Sequence, residues 1–202
     1  MTRKFIIAIS IILSFTISTT HAQFFKGGLI IGLTGSQMDG DMLTGYNKLG
    51  ITTGFFIRHD ISKKLAIQSD YKYVMKGAAT NITNSATTGY SQTLHYIEVP
   101  LTAIMGISKK IEGEVGLAAA MLMYDSYYNV SDGSYDRSNM NKYDISSIFG
   151  ITYFYSEKVN VNLKISYSLA PVSHNLPSNP SLLGSNGQFN NVLELAIYYK
   201  IK

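Results

Sequence analysis

Two neighbouring segments of the chain, residues 92–107 and 111–124, alternate between apolar and small or polar side chains. Every second residue from Ile97 to Ile107 is apolar, and Ile104 is the one apolar residue on the opposite face of that segment. A period of two residues is typical of a β-strand with one apolar face. Both segments exceed the roughly 5–6 residues of an ordinary strand and the roughly 9–11 residues with which a tilted strand crosses a membrane. The sequence therefore predicts a β-hairpin long enough to span a bilayer.

The amino terminus has the pattern of a secretory signal peptide. Arg3 and Lys4 precede an apolar segment at residues 5–17, and small residues follow it. We therefore expect a signal peptide at 1–22 and one mature domain at 23–202. The alternative is an amino-terminal membrane anchor, for which the apolar segment is short compared with the about 20 residues of a spanning helix.

Composition excludes several classes of function. The chain has no cysteine, which excludes disulfides, thiolate metal sites and lipid attachment to a cysteine. Removing the signal peptide removes two of the 17 basic residues and none of the 13 acids, so the net charge becomes 15 − 13 = +2. This charge is too small and too dispersed for a nucleic-acid-binding surface. Fifteen Tyr, nine Phe and 17 Gly with only 15% charged residues are typical of a β-rich chain.

The hairpin pattern recurs along the whole mature chain. The connections between the predicted strands are alternately long and polar, near Gly40, Asn84, Asp132 and Asn179, and tight, near Ser62, Lys109 and Glu157. This order is typical of an all-β, eight-stranded antiparallel up-and-down transmembrane β-barrel with short periplasmic turns and long outer loops. A closed barrel also leaves no unpaired strand edge in lipid. The predicted strands are residues 26–37, 49–61, 65–75, 92–107, 111–124, 143–155, 159–169 and 189–201.

The strand face opposite the apolar one carries charged residues of both signs. In a soluble sandwich these would face water, whereas in an eight-stranded barrel they would fill the lumen and pair there. We predict such a lumen charge network. Its members would be Arg58, Asp70, Lys72, Glu98, Glu114, Lys164 and Glu194, with Asp144 on the same face.

Pro100 lies on the same inward face as Glu98 and removes a backbone donor from its strand. It predicts either a β-bulge that re-aims Glu98 or a local bend needed for barrel curvature.

Many tyrosines lie toward the ends of the predicted strands, where the rings of a membrane barrel form girdles at the lipid boundary. The tyrosines assigned to these girdles are Tyr71, Tyr73, Tyr96, Tyr124, Tyr143, Tyr153, Tyr155, Tyr167, Tyr198 and Tyr199.

Four stretches carry a resemblance to a known family. They are KGGL at 26–29, GYNKLGITTGFF at 45–56, LAIQSDYKYVMKGA at 65–78 and HYIEVPLTAIMGI at 95–107. In these stretches the chain resembles the porin-family or PorT-like outer-membrane β-barrel proteins, which are OmpX- or OmpA-like eight-stranded barrels. The resemblance implies location in the cell outer membrane, and a link to protein secretion through some of the relatives.

No catalytic or cofactor motif emerges, so we expect no enzyme activity and no cofactor. His59, His95 and His174 have no metal-ligand spacing, and His174 beside Ser173 is a faint candidate for a lipid-modifying site.

The leading hypothesis is a non-enzymatic, monomeric outer-membrane barrel. It would contact outer-membrane lipid and other envelope proteins but no nucleic acid, and would use its outer loops, especially residues 125–142 and 171–188, for surface contact. One alternative is a narrow pore or transport-accessory barrel. Another is a soluble lipocalin-like barrel in which the apolar face would line a ligand cavity.

Overall fold

The computed structural model describes residues 25–41, 43, 45–80, 89–129, 131–136, 140–173, 181 and 187–201. The predicted signal peptide at 1–22 lies outside these residues. Among the described residues, no helix has the length and apolarity needed to cross a membrane. The strands are β1 Phe25–Asp39, β2 Lys48–Asp60, β3 Leu65–Ala79, β4 Tyr90–Gly106, β5 Ile111–Asn129, β6 Tyr135–Asp136, β7 Tyr143–Phe154, β8 Val159–Ser168 and β9 Phe189–Lys200.

Eight of these strands form one closed antiparallel barrel. Each pairs with its neighbour along the chain, β5 pairs with β7, and the first and last strands, β1 and β9, pair with each other. The two-residue β6 lies outside the barrel wall and pairs with the end of β5. The predicted eight-stranded up-and-down barrel is therefore confirmed.

The barrel is apolar outside and polar inside. Large apolar side chains such as Leu33, Ile51 and Leu117 are half exposed on the outer wall, whereas the alternate residues of the same strands are buried in the lumen. An apolar outer surface that encircles the barrel is stable against lipid but not against water. The soluble lipocalin-like alternative is therefore wrong, because its apolar face would have to point inward.

Several strands extend further at the outer end than the sequence predicts, and the extension is largest in β3 and β5. β3 continues to Ala79 and β5 to Asn129, so the first part of the predicted outer loop at 125–142 is strand. Both extensions are paired with β4. Cross-strand pairing thus overrides the polar composition that predicted loops there.

A β-bulge lies in the β4–β5 pair, but not at Pro100. The register is continuous across Pro100, which pairs with Ala118, and it shifts between His95 and Tyr96, where Met123 is the extra residue of β5. Pro100 faces the lumen, and its carbonyl oxygen accepts a hydrogen bond of 3.2 Å from the Ser69 hydroxyl. Of the two alternatives for Pro100, the β-bulge is therefore wrong, and the local bend stays a prediction.

Candidate functional site: lumen and projecting hairpin

The lumen contains three buried lysines, and each contacts two carboxylates. Lys72 Nζ lies 2.6 Å from Glu194 Oε2 and 3.4 Å from Glu98 Oε1. Lys76 Nζ lies 2.5 Å from the other oxygen of Glu98 and 3.5 Å from Asp144 Oδ2. Since β3 and β9 are separated by two strands on the barrel wall, the contact between Lys72 and Glu194 crosses the lumen.

Lys164 forms the second centre of the network. Its Nζ lies 2.8 Å from Asp70 Oδ2 and 3.3 Å from Glu114 Oε2, and it donates a 2.8 Å hydrogen bond to the Tyr198 hydroxyl. Tyr198 in turn donates to Asp70 Oδ2 at 2.7 Å, and Gln68 donates to the other Asp70 oxygen at 2.8 Å. The strands β3, β5, β8 and β9 are thereby joined through side chains as well as through the wall.

Strand register explains why these groups meet. Lys72 is paired with Glu98 across β3 and β4, and Lys164 with Glu194 across β8 and β9. Directly paired residues of neighbouring strands lie on the same face of a sheet. If one of them points into the lumen, its partner does so too. Burying a charge in a low-dielectric interior costs several kcal/mol unless it is paired. These charged residues can therefore be buried in the lumen only because they form ion pairs there.

Arg58 belongs to a separate cluster at the periplasmic end. Its guanidinium makes two hydrogen bonds to Glu112, of 2.6 and 2.7 Å, and its Nε donates to Asp60 Oδ1 at 2.7 Å. Lys26 contacts the second oxygen of Asp60. The eight inward charges predicted from the sequence therefore divide into two groups.

Apolar layers lie on both sides of the central ion pairs. The lower layer is Ile30, Phe56, Ala196 and Tyr198. The upper layer is Met38, Val74, Ala78, Leu94, Tyr96, Ala120 and Val172. Below the lower layer, a cavity of about 370 Å³ opens at the periplasmic mouth, and Phe56 and Tyr198 form part of its lining. The described residues thus fill the lumen between this mouth and the outer rim.

The sequence interpretation misplaced two tyrosines and missed several charged residues. Tyr96 and Tyr198 are predicted to belong to the lipid-boundary girdles, but both are buried in the lumen. The even-numbered residues of β4 and β9 face inward, and both tyrosines are among them. Lys76 was missed because the predicted strand ended at residue 75, although Lys76 shares the parity of Lys72. Glu112 has the parity of Glu114 and could have been found by the same signal.

At the outer end the barrel wall is higher on the side of β3, β4 and β5, where β3 stays paired with β4 as far as Ala79 and Ser91. The pairing of β5 with β7 ends at Met121 and Tyr143, whereas β5 continues to Asn129 and stays paired with β4 up to Tyr90. The additional residues, 122–129, extend roughly 26 Å at about 3.3 Å per residue. We call residues 90–95 of β4, 122–129 of β5, the turn at 131–134 and the short β6 the projecting hairpin.

Tyrosine and aspartate dominate the surface of the projecting hairpin. Tyr135 is 77% exposed, and its ring lies 4.6 Å from that of Tyr128. The Tyr90 and Tyr127 rings are stacked at 5.3 Å. Asp132 caps the turn before β6, where hydrogen bonds from Ser134 hold the pKa of the Asp132 carboxyl below its usual value. Its aspartates are Asp125, Asp132 and Asp136.

The two described histidines of the mature chain, His59 and His95, have different neighbours. The His59 ring lies 5.1 Å from that of Phe25, and His95 Nδ1 is hydrogen-bonded to the Tyr73 hydroxyl at 2.5 Å. His174 lies outside the described residues. Across the described ranges, no group of three His, Cys, Asp or Glu residues has a metal-binding arrangement.

A family model decides the identity of the chain. Residues 7–174 match the outer membrane protein beta-barrel domain. The chain belongs to this family. With the apolar outer wall, this places the barrel in the outer membrane, as the sequence predicts. No curated protein matches the chain.

Solved structures share the fold of this outer-membrane barrel at low identity. Ail, the attachment invasion locus protein of Yersinia pestis, is 11% identical with a TM-score of 0.53, over 87% of this chain and 98% of that one. Ail in complex with the heparin analogue sucrose octasulfate is 10% identical with a TM-score of 0.52, over 88% and 99% of the two chains. Neisserial surface protein A is 11% identical with a TM-score of 0.49, over 88% and 97%. At such identities the likeness concerns the fold alone.

Proposed function

We propose that this protein is a non-enzymatic, monomeric outer-membrane barrel that contacts a partner through its projecting hairpin and does not conduct solutes. One observation carries the proposal. The lumen is crossed by buried ion pairs between two apolar layers, whereas β5 continues at the outer end beyond its pairing with β7 and stays paired with β4. The side chains that could meet an external molecule are therefore those of the outer rim.

The chemistry of the projecting hairpin favours a protein partner. Tyrosine rings with polar hydroxyls supply large contact area at low entropic cost, and serine and asparagine supply adaptable hydrogen bonds. Polyanions are disfavoured because the hairpin carries Asp125, Asp132 and Asp136. We therefore expect a partner surface that is neutral or basic, unlike the heparin analogue held by Ail.

A link to protein secretion, implied by the PorT-like resemblance, would be one form of this contact function. The partner would then be another envelope protein of a secretion assembly rather than a molecule outside the cell.

Site-specific photocrosslinking in living cells tests the proposal. A photoreactive residue at Tyr135 should give a discrete protein adduct, whereas the same residue at the lipid-facing Leu117 should give none. Replacing residues 123–141 by a two-residue turn should abolish any phenotype that the full-length protein restores in a deletion strain. A barrel with no adduct at Tyr135, or one whose shortened form restores the phenotype fully, would overturn the proposal.

A further inference from the structure

The three tight periplasmic turns repeat one sequence and one geometry. Residues 61–65, 107–111 and 155–159 each consist of an apolar residue, serine, a charged residue, lysine and a second apolar residue. In every copy the amides of the first two residues donate to the carbonyl oxygen of the fifth, at 2.9–3.1 Å. The serine hydroxyl accepts a 3.3 Å hydrogen bond from the lysine amide in all three. The turns therefore hold their lysines at equivalent places around the rim.

These lysines are exposed cations without a counter-charge. In the part of the chain that the structure describes, none of their ammonium groups forms a salt bridge. Of the acids at this end, Asp60 and Glu112 are paired with Arg58 and Lys26. The exposed lysines are Lys63, Lys64, Lys109, Lys110 and Lys158. The described residues at this rim carry eight cations (these five, Lys26, Arg58 and Lys200) against three acids (Asp60, Glu112 and Glu157), a net charge of 8 − 3 = +5.

Apolar residues alternate with the lysines around the rim. Ile61, Ile107 and Tyr155, the first residues of the three turns, are 58%, 66% and 75% exposed. In a membrane barrel such residues meet the acyl chains, and the lysine two or three positions later lies at the depth of the headgroups. The apolar stem of lysine can then run along the hydrocarbon boundary while its ammonium group stays in the polar layer.

The opposite end of the barrel has the opposite charge. Its described residues carry five acids against two cations, so a preference for anions is expected only at the periplasmic rim. The acids are Asp39, Asp41, Asp125, Asp132 and Asp136, and the cations are Lys48 and Lys142.

We propose that the three repeated turns form a binding surface for the phosphate groups of anionic phospholipids in the periplasmic leaflet. The positive charges of the turn lysines are complementary to the negatively charged phosphates. The exposed apolar residues beside them favour a lipid over a soluble anion as the ligand. A lysine near an anionic lipid surface strengthens association on the order of fivefold.

Competition between lipids in mixed micelles tests this proposal. The purified full-length barrel is equilibrated with equal amounts of phosphatidylglycerol and phosphatidylcholine, and the retained lipids are counted by native mass spectrometry. The quadruple variant K63Q/K64Q/K109Q/K110Q should lose at least fivefold of the preference for phosphatidylglycerol. The double variant K109Q/K110Q should lose part of it, whereas the matched outer-rim variant K48Q/K142Q should keep it.

Three results would overturn the proposal: an unchanged preference in the quadruple variant, an equal loss in the outer-rim variant, or displacement of phosphatidylglycerol by millimolar inorganic phosphate. The last result would indicate a site for free phosphate. Heat-dependent gel mobility of each variant shows whether the barrel has folded, and Lys63, Lys64, Lys109 and Lys110 are all exposed on turns. Crosslinking at Tyr135 is independent of these lysines, so the contact function and the lipid surface fail or succeed separately.

Discussion

Replacing Lys164 with methionine removes the cation that joins four barrel strands. The ammonium group of Lys164 contacts Asp70 at 2.8 Å and Glu114 at 3.3 Å, and the side chain is almost completely buried. Methionine fills a similar volume but leaves both carboxylates without this partner. Removing one member of a buried ion pair destabilises a protein by about 3–5 kcal/mol, because the remaining charge is buried and uncompensated. We expect a loss of this size in the free energy of unfolding.

The assay is urea unfolding of the barrel in lipid vesicles, followed by far-ultraviolet circular dichroism. Lys158→Met is the matched control, since Lys158 lies on an exposed turn and should change stability by no more than about 0.5 kcal/mol. The double variant Lys164→Met with Glu114→Gln should recover part of the loss, because one uncompensated carboxylate is then neutral. If Lys164→Met costs no more than Lys158→Met, the buried network does not stabilise the barrel and the reasoning fails.

Two further predictions concern close packing and pH. Gly54→Ala should lower folding yield and stability by about 1–3 kcal/mol, since a β-carbon there would lie 2.2 Å from the Tyr71 carbonyl oxygen. Gly113→Ala should have little effect, because its β-carbon would meet only the end of the flexible Ile107 side chain. Heat-dependent gel mobility measures the folded fraction of both variants. Burial raises the pKa of the Asp41 carboxyl in the outer turn above its ordinary 3.8. Its contribution to stability is therefore present below pH 3.8 and is lost as pH rises through the folded-state pKa, so Asp41→Asn should remove that decline from a pH series of unfolding curves.

Alternation along the chain was sufficient to predict the barrel. Eight runs with a period of two, separated by alternately long and tight connections, allow few closed arrangements once lipid excludes free edges. The repeated tight turns set the periplasmic strand ends accurately. The outer ends were less predictable, because the polar residues 125–129 continue β5 through pairing with β4 and with the short β6.

Parity also placed eight of the charged residues on the inward face, but it did not identify their partners. Lys72 pairs with Glu98 on the neighbouring strand, yet its shorter contact is with Glu194 across the lumen. That contact depends on barrel diameter and stagger, which a single strand pattern does not encode. Tyr96 and Tyr198 show a conflict between two signals, since aromatic residues near strand ends suggest a girdle whereas parity points inward. Parity decides, because moving a residue to the other face would require shifting the whole strand.

Side chains close the lumen of this barrel between its two mouths. Whether solutes pass is measured as the conductance of the purified protein in a planar lipid bilayer, with heat-dependent gel mobility as evidence that the inserted protein is folded. We expect no stepwise currents from the wild type at moderate voltage, because the ion pairs of Lys72 and Lys164 cross the lumen between apolar layers. Reproducible stepwise currents from the folded wild-type barrel would contradict it and would favour the narrow pore instead.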